Sequence, residues 1–227
     1  PDQREPEALR LASEDAQRPF DLSQGPLFRA SLIQLTDNDY VALLNCHHIA
    51  TDGWSINVLL QELAELYAAS IDGRHPSLPK LPIQYADFAA WQRNALQGDA
   101  LNTLLAFWKQ QLLDAPPLNL PTDRPRPPLL SHHGASLPFS LPHELSHALH
   151  ALCAREGVTT FMTLLAAFQT TLARLSGQTD LTVGSPIANR THPHLDPLIG
   201  FFVNTLVFRA RINPNDSFRD LLATTRE

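Results

Sequence analysis

The stretch from Cys46 to Ser55 carries the densest set of side chains that could do acid–base chemistry. It reads Cys-His-His-Ile-Ala-Thr-Asp-Gly-Trp-Ser, and an apolar segment runs into its paired histidines, His47 and His48. An imidazole titrates near neutral pH, so it can accept or donate a proton under physiological conditions. Asp52 and Gly53 follow closely, and a glycine allows a sharp turn. The spacing therefore brings an imidazole and a carboxylate to one strand end.

Three interpretations of the histidine pair stay open on these residues alone. The first is a pair of buried structural histidines, and the second is a metal site. Successive strand residues point to opposite faces, which disfavours adjacent histidines as ligands of one metal. The third is general-base or proton-shuttle chemistry by one of the two. Asp52 fits a structural anion that locks the loop by pairing with an arginine, because a buried carboxylate without a partner is costly.

The other reactive side chains are better explained as structural. Cys46 beside His47 could suggest a thiol nucleophile, but neighbouring strand residues face opposite sides, so we expect a buried apolar cysteine. The second cysteine, Cys153, is distant and forms no CxxC pair, so neither a disulfide framework nor a zinc site is indicated. The remaining candidate histidines are expected in loops or on helix surfaces: His132, His133, His143, His147 and His150.

Hydrophobic periodicity and turn residues predict the elements that position this stretch. A hairpin of two strands leads into it, and a helix with Ser55 as its N-cap follows it. Strands and helices alternate in both halves of the chain, which predicts an α/β or α+β fold. The predicted strands cover residues 28–35, 40–48, 180–185 and 202–212. The predicted helices cover residues 7–18, 55–72, 84–97, 100–113, 142–156 and 159–175, and a last helix begins near Ser217.

Composition narrows the classes of partner. The 227 residues carry a formal net charge of -6 with scattered Lys and Arg, which disfavours a nucleic-acid partner. No apolar run approaches the ~20 residues that span a bilayer, so we expect no membrane segment. Two distant cysteines without a CxxC pair fit a reducing, cytoplasmic setting. Six prolines between Asp114 and Pro128 predict an extended connector over residues 114–135. That connector would join an N-terminal lobe, residues 1–113, to the first part of a C-terminal lobe, residues 136–227.

Several segments of the chain resemble one known family in the same order. The HHIATDGWS stretch resembles the HHxxxDG signature of condensation domains of non-ribosomal peptide synthetases. Residues 84–91 are similar to that family's YxDFAxW segment, and residues 199–206 are similar to its IGxFVNT segment. Residues 120–127 and 183–190 also resemble family sequence. The HxxxD part alone is shared with several CoA-dependent acyltransferases, whereas the longer set is much more specific.

The resemblance implies a chloramphenicol-acetyltransferase-like α/β fold, built of two-layer α+β lobes in a V with a tunnel between them. It implies amide formation between a donor acyl or peptidyl thioester and the amine of an acceptor aminoacyl thioester. Phosphopantetheine arms of partner carrier proteins would deliver both substrates, so no directly bound cofactor is expected. The implied partners are the upstream and downstream peptidyl carrier domains and a neighbouring adenylation domain.

The same resemblance implies roles for individual residues. His48 is the expected catalytic residue, while His47, Asp52 and Gly53 support the catalytic loop. Asn204 is a candidate channel-lining residue. Three residues of the YADFAAW segment are expected to be mainly structural: Tyr85, Asp87 and Trp91. No metal is expected.

The chain also differs from the complete family pattern. A complete domain is about twice this length, and its upstream part is expected to supply the arginine that pairs with Asp52. An epimerisation domain shares the HHxxxDG core but usually follows the glycine with Val-Ser-Trp, whereas Trp54 and Ser55 follow directly here. A heterocyclisation domain would replace both histidines with aspartates. A non-catalytic recruiting domain of the same fold tends to lose the second histidine, which is present as His48.

Overall fold

The computed structural model describes residues 3–129, 131 and 134–226. The chain divides into two compact units, of which the first comprises Pro1–Ala100 and Pro186–Asn204 and the second comprises Leu101–Ser185 and Thr205–Glu227. His132 and His133 lie outside the described residues. The lobe boundary at residues 114–135 stays a prediction.

The first unit is built on an antiparallel hairpin and three helices. The sequence predicts this hairpin but not its register, in which Phe28 pairs with Cys46 at the open end and Thr36 pairs with Asp39 at the turn. A register shift between Gln34 and Thr36 marks a bulge beside that turn. The elements are α1 (Arg4–Gln17), β1 (Phe28–Thr36), β2 (Asp39–Cys46), α2 (Gly53–Asp72) and α3 (Tyr85–Ala95). A short 3₁₀ helix, Pro193–Leu195, belongs to the same unit.

Strand β2 ends earlier than the sequence predicts. It stops at Cys46, so His47 and His48 lie in the turn beyond it rather than on the strand. The His47 N–H still donates to the Leu27 carbonyl at 2.9 Å, and the Ala50 N–H donates to the His47 carbonyl at 2.9 Å. The backbone turns immediately after the hairpin. The opposite-face rule for strand residues therefore does not apply to the two imidazoles, and the predicted end of the strand at His48 is wrong.

Helix α2 begins at Gly53, with Asp52 rather than Ser55 as its N-cap. Asp52 has an extended backbone, and its carboxylate accepts the Ser55 N–H at 2.9 Å, which makes Asp52 the N-cap. Ser55 lies inside the first turn, so its predicted capping role is wrong. At the other end Gly73 takes a left-handed conformation with φ of 64° and ends the helix, as expected for glycine after a helix.

The core of the first unit brings α3 together with residues 195–202. Its buried members are Phe88, Leu195, Leu198 and Phe202. Leu81, Ile83 and Tyr85 pack against them. Burial of these apolar side chains stabilises the position of residues 195–202. Hydrogen bonds described below connect this segment to the first turn of α2.

The second unit combines four helices with the pair of strands β3 and β4. Its elements are α4 (Gly98–Gln111), α5 (His143–Glu156), α6 (Thr160–Ser176), β3 (Asp180–Ile187), β4 (Asn204–Arg211) and α7 (Phe218–Arg226). Gly157 ends α5 in a left-handed conformation, and Thr159 caps α6 by accepting the Met162 N–H. Leu172, Leu181 and Ala210 form its buried core.

An ion pair joins the two strands of this unit. Asp180 accepts two hydrogen bonds from the Arg209 guanidinium, at 2.8 and 2.6 Å, which join β3 to β4.

Three histidines of α5 are exposed, as the sequence predicts: His143, His147 and His150. Among the described residues no single helix is long and apolar enough to cross a membrane, and α5 and α6 meet those requirements only as a pair bent by 102°.

Candidate functional site

His48 presents its imidazole from the loop between β2 and α2. Its Nδ1 lies 2.8 Å from the Thr51 carbonyl oxygen, and its side chain is on the exposed surface of the first unit. A carbonyl oxygen can only accept, so Nδ1 carries the hydrogen of this bond. In the neutral ring Nε2 then holds the lone pair. The loop thus fixes the tautomer of His48 in which Nε2 can accept a proton.

His47 is held in a different way. Its Nδ1 accepts the Ile49 N–H at 3.0 Å, so in the neutral ring the hydrogen is on Nε2. Its ring makes an edge contact with Phe20, with 5.9 Å between the centroids. The neighbouring histidines therefore hold opposite tautomers. The Nδ1 of His47 accepts a hydrogen bond that stabilises the turn, whereas Nε2 of His48 keeps a lone pair that can accept a proton.

Asp52 is a buried carboxylate with partners on both oxygens. Oδ1 accepts from the Ser55 N–H at 2.9 Å and lies 2.7 Å from the Ser55 hydroxyl, while Oδ2 accepts the Phe202 N–H at 2.9 Å. The Arg190 guanidinium lies 3.4 Å from Oδ1. Burial alone would raise the pKa of Asp52, but the two backbone N–H groups, the hydroxyl and the guanidinium charge outweigh it, so the pKa lies below its usual value.

The Ser55 hydroxyl links the start of α2 to residues 200–202. Ser55 is completely buried, and its oxygen accepts from the Gly200 N–H at 3.1 Å and from Arg190 at 2.8 Å. The same oxygen lies 2.7 Å from Asp52 and 2.8 Å from the Gly200 carbonyl. A hydroxyl has one hydrogen, so it donates to only one of these two acceptors at a time. This residue was not among the sequence-predicted site residues.

Arg190 is the arginine that pairs with Asp52. Its side chain is 2% exposed, and its guanidinium stacks over the Phe202 ring at 4.1 Å. It also donates to the carbonyls of Leu195 and Leu198. The expectation of an upstream arginine is wrong, because Arg190 follows Asp52 by 138 residues. Residues 183–190 resemble family sequence, but that resemblance does not predict the pairing of Arg190 with Asp52.

Gly53 and Asn204 have less definite surroundings. Gly53 is the first residue of α2, and a Cβ built on it would meet no described atom within 4 Å. This chain's own packing therefore does not require a glycine there, and close approach of the backbone to a reacting group stays a prediction. Asn204 is the first residue of β4 and is exposed. Its channel-lining role also stays a prediction.

The alternative chemistries receive no support from the described residues. Burial raises the pKa of the Cys46 thiol, which lowers its thiolate fraction and opposes a nucleophilic role. Cys153 is buried with its sulfur 3.2 Å from the Thr163 hydroxyl. Within residues 3–129, 131 and 134–226, no group of three potential ligands is arranged to hold a metal ion. The exposed imidazole of His48 therefore stays the candidate proton-transfer group.

Comparison with protein families shows which family the chain belongs to. The condensation domain model matches residues 2–227. The chain belongs to the condensation domain family. It is 55% identical over 226 residues to a linear gramicidin synthase of Brevibacillus parabrevis, and the match covers 99% of this chain and 3% of that protein. It is 52% identical over 221 residues to phosphinothricin tripeptide synthetase PhsC of Streptomyces viridochromogenes, and the match covers 97% of this chain and 20% of that protein. It thus spans a fifth or less of these relatives.

Solved structures agree with this assignment. The first condensation domain of the calcium-dependent antibiotic synthetase, in complex with a substrate analogue, is 25% identical with a TM-score of 0.79, covering 99% of this chain and 52% of that one. The X-domain from teicoplanin biosynthesis is 28% identical with a TM-score of 0.87, covering 96% and 50%. The predicted family and its chloramphenicol-acetyltransferase-like α/β fold are confirmed, and amide formation is the general function of that family.

Proposed function

We propose that this chain carries the catalytic loop of an amide-forming condensation domain in a non-ribosomal peptide synthetase. One observation carries the proposal. The Thr51 carbonyl holds Nδ1 of His48, so that Nε2 of an exposed imidazole is free to accept a proton. The substrates would be a carrier-bound donor acyl or peptidyl thioester and a carrier-bound acceptor aminoacyl thioester.

The bond changes assign a limited task to His48. The acceptor amine attacks the donor thioester carbonyl, a C–N bond forms, and the C–S bond then breaks to release the donor arm as a thiolate. An α-amino group has a pKa of about 8, so a useful fraction is already neutral at pH 7. Nε2 accepts the proton that the amine loses as the tetrahedral species forms, and that proton then passes to the departing thiolate.

The remaining residues act by holding the loop. Asp52 ties the first turn of α2 to Phe202 and Arg190, and His47 braces the turn before it. Neither contacts the exposed Nε2 of His48, so both are proposed to support geometry rather than to transfer protons. Gly53 is proposed to support the loop and Asn204 to line the channel.

Tethered delivery supplies a large part of the proposed rate enhancement. Both substrates arrive on phosphopantetheine arms of upstream and downstream peptidyl carrier domains, and a neighbouring adenylation domain supplies the activated acceptor. Holding two reactants together can reach effective molarities of about 10⁵ M. A four-domain non-ribosomal peptide synthetase, holo-AB3403, is 30% identical with a TM-score of 0.83, and the match covers 98% of this chain and 17% of that one. That likeness supports a multidomain setting for this chain.

Two alternatives have specific support. The X-domain likeness supports a non-catalytic recruiting role, and the shared HHxxxDG core supports an epimerisation domain. The intact His48 with its fixed tautomer favours catalysis over recruitment. Trp54 and Ser55 directly after Gly53 favour condensation over epimerisation.

One assay separates the three functions. The intact synthetase that contains this chain is supplied with a loaded donor carrier and a loaded acceptor carrier in D₂O, and the carrier-bound products are analysed by mass spectrometry. Amide product on the acceptor carrier supports condensation. Deuterium at the donor α-carbon without amide formation supports epimerisation. Intact, unexchanged thioesters on both carriers would contradict both catalytic functions and favour recruitment.

A further inference from the structure

We propose that Phe201 is the positioning residue of the His48 imidazole, and that Tyr85 and Gly200 determine where the Phe201 ring lies. This inference rests on the proposed function of His48. All four residues belong to the first compact unit. Phe201 does not act on substrate atoms in this proposal; it acts through the orientation of the imidazole.

The Phe201 ring supplies a second restraint on the imidazole. The two rings meet edge to face, with 5.1 Å between centroids and 86° between planes. The hydrogen bond from Nδ1 to the Thr51 carbonyl fixes one side of the imidazole, but a single hydrogen bond leaves the ring free to pivot about it. An aromatic pair has a preferred perpendicular geometry, so the Phe201 ring restricts that pivot. Nε2 is then held in one direction.

Phe201 is not placed for core packing. Its neighbour Phe202 is 2% exposed and lies in the core with Phe88, whereas Phe201 is 38% exposed. The rings of these two adjacent phenylalanines therefore lie on opposite sides of the segment. The exposed one faces the candidate catalytic histidine, and its replacement is expected to cost little stability.

The backbone on both sides of Phe201 is bound to the loop that carries His48. The Gly200 N–H donates to the Ser55 hydroxyl at 3.1 Å, and the Phe202 N–H donates to Asp52 at 2.9 Å. These bonds connect residues 200–202 to the start of α2, four to seven residues after His48. The position of the Phe201 ring is therefore set relative to the imidazole and not only relative to the core.

Tyr85 fixes the segment from the other side. Its hydroxyl donates to the Phe201 carbonyl at 2.8 Å, and its ring lies flush against Gly200. A Cβ on Gly200 would lie 2.2 Å from Cδ2 of Tyr85, so only glycine allows this approach. The tyrosine that was predicted to be mainly structural thus connects the YADFAAW segment to the IGFFVNT segment at the residue that contacts His48.

The test compares substitutions that keep or remove the aromatic ring. Phe201→Tyr keeps an aromatic ring, Phe201→Leu keeps the bulk without one, and Tyr85→Phe removes only the hydroxyl that binds the Phe201 carbonyl. Phe218→Leu is the matched control, because Phe218 is 40% exposed and lies in the second unit at the start of α7. Amide formation by the intact synthetase is measured under saturating and subsaturating acceptor, together with the thermal unfolding midpoint of each variant.

The expected result is a fall in kcat without a change in KM or in unfolding midpoint. Phe201→Leu should lower kcat about tenfold, while Phe201→Tyr should stay within about twofold of the parent. In a His48→Ala background Phe201→Leu should have no further effect, because its whole influence passes through the imidazole. Tyr85→Phe should lower kcat by a smaller factor, and Phe218→Leu should match the parent.

Distinct outcomes overturn the inference and the proposed function. If His48→Ala impairs amide formation but Phe201→Leu keeps the parental kcat, the positioning role is wrong and the catalytic role of His48 stands. An equal loss from Phe201→Leu with and without His48 also overturns it, since a general structural effect would explain that loss. If Phe201→Leu does not fold, an unchanged kcat in Tyr85→Phe overturns it. A parent that forms no amide removes both proposals.

Discussion

Replacing Asp52 with asparagine tests whether its buried carboxylate holds the catalytic loop. The substitution keeps the size of the side chain but leaves one accepting oxygen where there were two. In the parent protein, Oδ1 of Asp52 accepts the Ser55 N–H and Oδ2 accepts the Phe202 N–H, each at 2.9 Å. In asparagine the amide nitrogen must face one of these donors. The Arg190 guanidinium also stays buried without its countercharge.

The size of the effect follows from these contacts. A buried N–H without an acceptor costs about 1–3 kcal/mol. Removing one partner of a buried ion pair costs about 3–5 kcal/mol, because it leaves the other charge uncompensated. Since these two effects overlap in one site, we expect the free energy of unfolding to fall by about 3 kcal/mol in total. For a chain of this size that corresponds to a fall in the unfolding midpoint of roughly 6–12 °C.

The assay is thermal and urea unfolding of the parent and four variants: Asp52→Asn, Asp37→Asn, Arg190→Leu and the double substitution Asp52→Asn with Arg190→Leu. Asp37→Asn is the matched control, because Asp37 is exposed in the β1–β2 turn, and it should change the free energy by less than about 0.5 kcal/mol. Asp52→Asn combined with Arg190→Leu should cost less than the sum of the single substitutions, because the charges are coupled. An Asp52→Asn variant as stable as Asp37→Asn would refute the structural role of the carboxylate.

Three further predictions concern packing, pH and the thiol. Gly200→Ala should lower the unfolding midpoint and slow amide formation, because its Cβ would lie 2.2 Å from the Tyr85 ring; calorimetry and the carrier assay together check this. The pKa of folded Asp52 lies below its usual value of 3.8, so its stabilisation is complete above about pH 4 and is lost as the pH falls through the folded pKa. Urea unfolding at pH 7 and pH 3 should therefore show a larger loss of stability in the parent than in Asp52→Asn. Iodoacetamide should alkylate Cys46 more slowly at pH 7.5 than it alkylates free cysteine, since burial raises the pKa of the thiol, and Cys46→Ser should retain amide formation.

The secondary structure was predictable because its signals are local. Glycines that follow periodic apolar runs end α2, α5 and α6, and each takes the left-handed conformation that such positions favour. The hairpin of β1 and β2 follows from two β-rich runs separated by a polar turn. These patterns depend on residues a few positions apart, so one sequence is enough to detect them.

The site was less predictable because its contacts join distant segments. The sequence predicted roles for His48 and Asp52, but it did not predict that Arg190 completes the ion pair from 138 residues away. Both Asp52 and Ser55 are good N-cap residues, and only the backbone conformation decides that Asp52 is the cap. Phe201 and Phe202 are chemically identical, so no local pattern shows which one faces His48. Tertiary packing determines these contacts.

The central claim is that the His48 imidazole transfers the amine proton during amide formation. The most direct measurement is the single-turnover rate of transfer from a loaded donor carrier to a loaded acceptor carrier in the intact synthetase, compared between the parent, His48→Ala and the exposed-helix control His150→Ala. General-base catalysis contributes about 10²–10⁴-fold, so His48→Ala should fall at least about 100-fold with an unchanged unfolding midpoint, and His150→Ala should match the parent. A His48→Ala rate within about threefold of the parent, from fully loaded carriers, would contradict the claim.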